Sequence, residues 1–173
     1  MAWKSSEKIR WGILGCAAIA EKSLIPALKN ASGAELLAIA SRSAAKARDW
    51  AEKFNLPKSY GSYEDLLAHK EIEAVYIPLP NHLHFEWTVK ALRAGKHVLC
   101  EKPLALTAGQ VMEMFDEART NKRQLMEAFM YRFHPRLVKA IELLESGAIG
   151  EPRLVQSAFT FVFKREEDNY RWA

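Results

Sequence analysis

Cysteine is scarce in this chain: Cys16 and Cys100 are the only two thiols among 173 residues. Two isolated thiols, each in or beside an apolar run, exclude a disulfide framework and suit a reducing compartment, so the expected location is cytoplasmic. Long hydrophobic stretches are absent as well. No run approaches the roughly 20 apolar residues of a membrane span. The first eight residues, MAWKSSEK, lack the apolar core of a secretory signal. An excess of charge of one sign is also missing, because the net charge is only +4 and Lys and Arg alternate with Asp and Glu along the chain. A nucleic-acid partner would need those cations clustered with stacking aromatics. No membrane and no nucleic acid is therefore expected as a partner. His82 and His84 with Cys100 lack the further carboxylate or cysteine that would complete a metal site at ligand spacing, so no metal is expected.

What the chain has is apolar content, 49% of its residues, arranged in short runs. Its length is about one domain by the usual prior, enough to bury roughly 70% of the unfolded surface. The run His97 to Cys100 ends abruptly in Glu101, Lys102 and Pro103. Charges placed where a buried strand stops sit at the mouth of a sheet, where open α/β folds bind ligands. The plainer alternative is a surface Glu-Lys pair closing an ordinary strand. A second signal lies near the N-terminus, where Ile9 to Leu14 suits a first strand, Gly15 a tight turn, and the Ala-rich continuation to Leu28 a helix. The dinucleotide fingerprint G-x-G-x-x-G/A appears here as Gly15-x-Ala17-x-x-Ala20, with alanine at the middle glycine. Strand, turn and helix still follow in the order that brings a helix N-terminus to phosphate.

Strand-like and helix-like segments alternate along the rest of the chain. Glu35 to Ser41 reads as a second strand, and Ser43 caps a helix to about Phe54. Ser62 with Asp65 opens a short helix to Ala68, and Ala74 to Ile77 reads as the next buried strand. A helix runs from His82 to Ala94 and stops at Gly95; Thr107 with Gln110 opens another, to about Thr120. Gln124 to Phe129 reads as the last strand of this part. Repeated βα units predict a doubly wound parallel sheet with right-handed crossovers. After Pro135 the pattern changes to an amphipathic helix over Leu137 to Ser146 and one long alternating strand over Pro152 to Phe163. A lone strand of that length has no partner for its edge. The expectation is an α/β domain over 1–125, then a linker helix and the first strand of a second, α+β domain over 126–173, with the chain being the front part of a longer protein.

Five segments, in this order, resemble the Gfo/Idh/MocA family of glucose–fructose oxidoreductase-like, nicotinamide-dependent sugar dehydrogenases. They are Gly12-Ile-Leu-Gly15-Cys, Ala-Ile-Ala-Ser41-Arg42-Ser, Ile77-Pro-Leu-Pro80-Asn81-His-Leu-His84, Gly95-Lys-His-Val-Leu-Cys-Glu101-Lys102-Pro103, and Glu127-Ala-Phe-Met-Tyr131-Arg132-Phe-His134-Pro135. The resemblance implies a Rossmann domain followed by a substrate-binding sheet domain. It puts Gly15, Ala17 and Ile19 along a pyrophosphate, Asn81 and His84 on the nicotinamide side, and Glu101 at the nicotinamide ribose, with Gly12 and Pro80 also among the cofactor-binding residues. Lys102 becomes the catalytic group, and Tyr131 and Arg132 approach the cofactor from the linker. It also implies a homo-oligomer formed through the second-domain sheet of the longer protein. A short-chain dehydrogenase arrangement is excluded, since no Tyr-x-x-x-Lys pair occurs.

Cofactor choice turns on the end of the second strand, where NAD enzymes usually carry Asp or Glu. Here stand Ser41, Arg42 and Ser43, with Lys46 one turn on. A guanidinium and an ammonium there would pair with a 2′-phosphate, so NADP is expected ahead of NAD. The alternative has Arg42 stacking on adenine for either cofactor. Two functions remain open at this point: an oxidoreductase moving hydride between a nicotinamide and a sugar or polyol carbon, or a dinucleotide-binding module or regulator without turnover. This piece alone is expected to bind cofactor and turn over little, because a substrate domain would lie beyond it.

Overall fold

The computed structural model describes residues 8–160. Six parallel strands form one sheet: β1 (Ile9–Leu14), β2 (Ala34–Ala40), β3 (Lys58–Tyr60), β4 (Ala74–Ile77), β5 (His97–Cys100) and β6 (Leu125–Glu127). Their spatial order is β3-β2-β1-β4-β5-β6, the doubly wound Rossmann order, with its reversal between β1 and β4. Ile13 of β1 faces Ile39 of β2 on one side and Tyr76 of β4 on the other.

Parallel strands covered on both faces are apolar throughout rather than alternating. Accordingly all of β4 and the last five residues of β2 are buried. Successive side chains serve opposite faces. Leu14 and Ile77 pack with Leu66 of α3 (Tyr63–Ala68), Leu92 of α4 (His84–Arg93) and Met114 of α5 (Ala108–Thr120). Ile13 and Tyr76 pack on the other side with Ile25 and Leu28 of α1 (Ile25–Asn30) and Ala51 of α2 (Ala44–Lys53).

Local signals set the helix starts. Ser43, Ser62 and Thr107 each accept a hydrogen bond from the backbone N–H three residues on, at 3.3, 3.1 and 3.2 Å, as N-caps do. The helix after the first turn departs from the expected continuous one: a π-turn (Ala20–Leu24) precedes α1. Pro26 explains it. Proline has no N–H for the fourth carbonyl back and crowds it, and a widened turn, with the Ile25 N–H bonded to the Ala20 carbonyl, relieves that crowding.

Strand β3 is additional to the expected elements. Its three residues, Lys-Ser-Tyr, carry no apolar run and pair only with β2 at the sheet edge. The chain divides into two compact units, Met1–Ala128 and Phe129–Ala173. The division falls three residues beyond the expected boundary because β6 pairs with β5 through Val98↔Leu125, Leu99↔Met126 and Cys100↔Glu127. The second unit contains a 3-10 turn (Met130–Phe133) and α6 (Pro135–Glu145). The strand expected from Pro152 does not form over residues 152–160, which are exposed and lack ladder bonds. An alternating pattern makes no strand without a neighbour to receive its hydrogen bonds. The remainder of that expected strand, residues 161–163, and the closing residues 169–173 lie outside the described residues. Among the described residues no helix is long and apolar enough to cross a membrane.

Candidate cofactor site

The carboxyl ends of β1, β2, β4 and β5 open at the same edge of the sheet, around the reversal of strand order where such folds bind ligands. Gly15 closes β1 with φ of 113°, a conformation that glycine adopts without strain. A Cβ there would stand 2.8 Å from Leu79 Cδ2 and 3.9 Å from the Tyr63 hydroxyl. The turn continues through half-buried Cys16 and Ala17, with Ile19 half-buried at the start of the helical turns. The Ala17 carbonyl takes the Ala20 N–H at 2.9 Å. The amides that precede Ala20 in this first turn are the donors a helix start offers to an anion.

Beside that turn lies a polar cluster from β2 and α2. Ser41 is buried; its N–H donates to the Tyr60 carbonyl at 3.1 Å and its hydroxyl accepts the Ser43 N–H at 3.2 Å. The Cys16 thiol points at the Lys46 carbonyl, 4.0 Å away. Burial pushes that thiol up, against the opposing influence of the Lys46 ammonium and a hydrogen bond with Ser41. Arg42 and Lys46 are exposed; burial pushes the Tyr63 phenol up, against the opposing charge of Arg42.

A second cluster forms where β5 ends. Glu101 Oε1 accepts a 2.7 Å hydrogen bond from the hydroxyl of Tyr76, a buried residue of β4. Burial first, and that carboxylate second, hold the phenol far above its ordinary range. Glu101 Oε2 also accepts the Lys102 N–H at 3.3 Å. The Lys102–Pro103 peptide is cis, and the Lys102 side chain is exposed. Leu104 N–H donates to Glu127 Oε1 at 2.9 Å, so the segment is held from β4, β5 and β6.

Two of the expected contacts have a place in the packing of the fold. The first is His84. It is fully buried, with Nδ1 2.7 Å from the Pro103 carbonyl and Nε2 2.7 Å from the Leu79 carbonyl. A neutral imidazole has one N–H and donates to one of the two at a time. Its place is a clamp between the β4 exit and the Lys102–Pro103 turn, and through Leu79 it links that turn to Gly15. Gly12 is likewise structural. It lies inside β1, where a Cβ would meet Leu66 Cδ2 at 2.8 Å and Ile72 Cδ1 at 3.2 Å, so its missing side chain admits α3.

Pro80 is half-buried and caps the 3-10 turn (Asn81–Leu83), where Asn81 is exposed. Asn81 follows β4 and Glu101 follows β5, strands paired through Ile77↔Cys100. Tyr131 and Arg132 lie on the 3-10 turn of the second unit, both exposed. Tyr63 and Tyr76 were missed from the sequence, although a buried tyrosine in an apolar segment always raises the question of where its hydroxyl bonds. Lys96 was missed too; its ammonium is buried and donates to the His69 and Ile72 carbonyls, both at 2.7 Å. No neighbouring residue in the sequence signals that arrangement. Among the described residues no group of three His, Cys, Asp or Glu gathers as metal ligands would.

Residues 9–129 match the Gfo/Idh/MocA oxidoreductase family, NAD-binding Rossmann fold. The chain belongs to this family. An uncharacterised oxidoreductase of Rhizobium meliloti is 49% identical over 154 residues, covering 89% of this chain and 46% of that protein. The D-xylose 1-dehydrogenase (NADP(+)) 2 of Haloferax volcanii is 48% identical over 161 residues, 93% of this chain and 49% of its own length. Among solved structures, the 3-ketoreductase KijD10 of Actinomadura kijaniata, in complex with NADP and TDP-benzene, superposes with a TM-score of 0.77 at 43% identity, over 83% of this chain and 44% of that one. The chain thus spans about half the length of the relatives it matches. The chemistry of these residues fits a dinucleotide phosphate: a glycine turn before a helix start, a guanidinium and an ammonium beyond β2, and a carboxylate beside a lysine beyond β5.

Proposed function

We propose that this chain is the cofactor-binding part of an NADP-dependent oxidoreductase that moves hydride between the nicotinamide and a sugar or polyol carbon. The observation that carries the reading is the Glu101-Lys102 pair, anchored by Tyr76 at the same sheet edge as the Gly15 turn. When bound, the nicotinamide supplies the hydride chemistry. Arg42 and Lys46 bind the 2′-phosphate, Ala17 and Ile19 border the pyrophosphate, and Glu101 with Asn81 orients the nicotinamide ribose and ring. Lys102 takes the hydroxyl proton on oxidation and returns it on reduction. The sugar dehydrogenase and sugar-nucleotide reductases among the relatives support the substrate class. In a chain of the relatives' full length, a second-domain sheet would supply the substrate wall and an oligomer contact. The two free thiols accord with a reducing cytoplasm.

The test is turnover of a panel of aldoses and keto-sugars, followed by NADPH absorbance, in protein that carries the substrate domain. Lys102→Ala lowers turnover by about 10²–10⁴ while leaving NADPH affinity intact, the usual loss for a positioned proton-transfer group. Near-normal turnover in that variant overturns the catalytic assignment and favours a binding module without turnover.

A further inference from the structure

We infer, resting on the reading of Glu101 as the partner of the nicotinamide ribose, that Tyr76 of β4 is a positioning residue. Its hydroxyl fixes the Glu101 carboxylate so that the site reads the second ribose of a dinucleotide and not only its adenosine half. Neither the glycine turn nor the Glu101-Lys102 pair assigns this tyrosine a role.

Register brings the two side chains together. Tyr76 pairs with Leu99 across the β4–β5 ladder, and Glu101 lies two residues beyond Leu99, on the same face by strand alternation. The Glu101 N–H still donates to the Ile77 carbonyl at 3.1 Å, so that alternation holds one residue past the end of β5. Tyr76 is 2% exposed, and its ring lies in an apolar cluster with Ile13, Ile25, Leu28 and Ile39. A phenylalanine would fill that space as well. The hydroxyl is what the position adds, and it donates to Glu101 Oε1 at 2.7 Å, the short range of charge-assisted bonds. Burial keeps the phenol protonated far beyond neutral pH, so the donor is permanent.

An ionised carboxylate has about four lone-pair sites. Tyr76 takes one on Oε1, and the Lys102 N–H takes one on Oε2 at 3.3 Å. Each oxygen keeps a site for a vicinal diol, the group that a nicotinamide ribose presents. With a donor on each oxygen, the carboxylate plane is set before a ligand arrives. An unanchored glutamate would lose rotamer entropy on binding, and pre-organisation removes that loss. Adenosine phosphates carry no second ribose and gain nothing from the anchor. A buried phenol needs a partner in any case, so a purely structural bond would stabilise the fold and leave whole dinucleotide and adenosine half equally affected.

Isothermal titration calorimetry of the 173-residue chain with NADPH and with adenosine 2′,5′-bisphosphate, which lacks the nicotinamide ribose, separates the two roles. Tyr76→Phe keeps the ring in its cluster and deletes only the anchor. It weakens NADPH by about five- to tenfold, the worth of one hydrogen bond, and leaves the bisphosphate within about twofold. Glu101→Ala likewise weakens NADPH alone, and adding Tyr76→Phe to it lowers the ratio of the two affinities no further. Equal weakening of both ligands by Tyr76→Phe assigns the phenol a merely structural role and overturns the inference. So does an unchanged ratio in Tyr76→Phe where Glu101→Ala lowers it. A ratio that Glu101→Ala leaves unchanged overturns the ribose reading of Glu101 itself, and the inference falls with it.

Discussion

The two compact units of this chain are built from the same kinds of residue and differ in what those residues meet. In the first, Ile13, Ile39 and Ile77 are wholly inaccessible, because β1 lies between two parallel neighbours and helices cover both faces. In the second, Val138, Ile141 and Leu144 of α6 are each 40–43% exposed, and none of residues 129–160 is buried. Yet α6 has every local mark of a helix: Pro135 at its first turn, the His134 ring accepting the Arg136 N–H at 3.2 Å, and Gly147 at φ of 71° just past its end. Local signals place the ends of a helix. They do not stabilise eleven residues in water, where helices of that length are marginal without packing. Stability in this chain therefore belongs to the sheet, and so does the site, whose Tyr76, His84 and Glu127 anchors all rise from strands of the sheet or from the helix packed on them.

The widest contrast comes from removing the same methyl groups in each unit. Ile39→Ala opens a cavity between β1 and β3 and should cost about 2–5 kcal/mol. Ile141→Ala, at an exposed position, should change stability by less than about 0.5 kcal/mol. Urea unfolding followed by circular dichroism checks both. A loss at Ile141 comparable to that at Ile39 would break the comparison, since it would mean that α6 is packed in solution.

The same division explains what the sequence could be made to say. Strands β1, β2, β4 and β5 were legible because their buried positions leave short apolar runs, and the caps Ser43, Ser62 and Thr107 were legible because their chemistry is local. Strand β3 was not, because Lys-Ser-Tyr is recognisable only beside β2. The strand expected beyond Pro152 failed for the converse reason: its alternation is real, but a ladder needs a neighbour. At the site, the Gly15 turn and the Glu101-Lys102 pair could be read from where apolar runs stop. His84 and Gly12 show what the sequence leaves open, because a motif records which residue is needed and not whether a ligand or the backbone needs it. In both cases the protein's own packing claims the residue.

Gly15→Ala probes the join between sheet and site. The φ of 113° and the 2.8 Å approach to Leu79 leave no unstrained place for a methyl group, and such strain costs about 1–3 kcal/mol. Because Leu79 carries one end of the His84 clamp, NADPH affinity should fall along with the thermal midpoint. An Ala variant with unchanged affinity and melting would show that the turn relaxes independently of Leu79.

A pH dependence belongs to the first unit alone. His97 opens β5, and its Nδ1 accepts the Gln124 N–H at 2.9 Å, across to the residue that precedes β6. That bond requires an unprotonated Nδ1. Burial first, and then the charge of Arg123, hold the imidazole below its ordinary 6.5, with Glu73 opposing. The folded state therefore binds fewer protons than the unfolded one, so stability is complete above the ordinary value. It declines as pH falls through 6.5 and levels off below the lower folded value. The loss is of the order of one hydrogen bond, about 1 kcal/mol. His97→Asn retains an acceptor for Gln124 and titrates nowhere in this range, so its urea midpoint should stay flat where the wild type declines. A decline that survives the substitution would place the titrating group elsewhere and separate the β5–β6 junction from the acid sensitivity of the sheet.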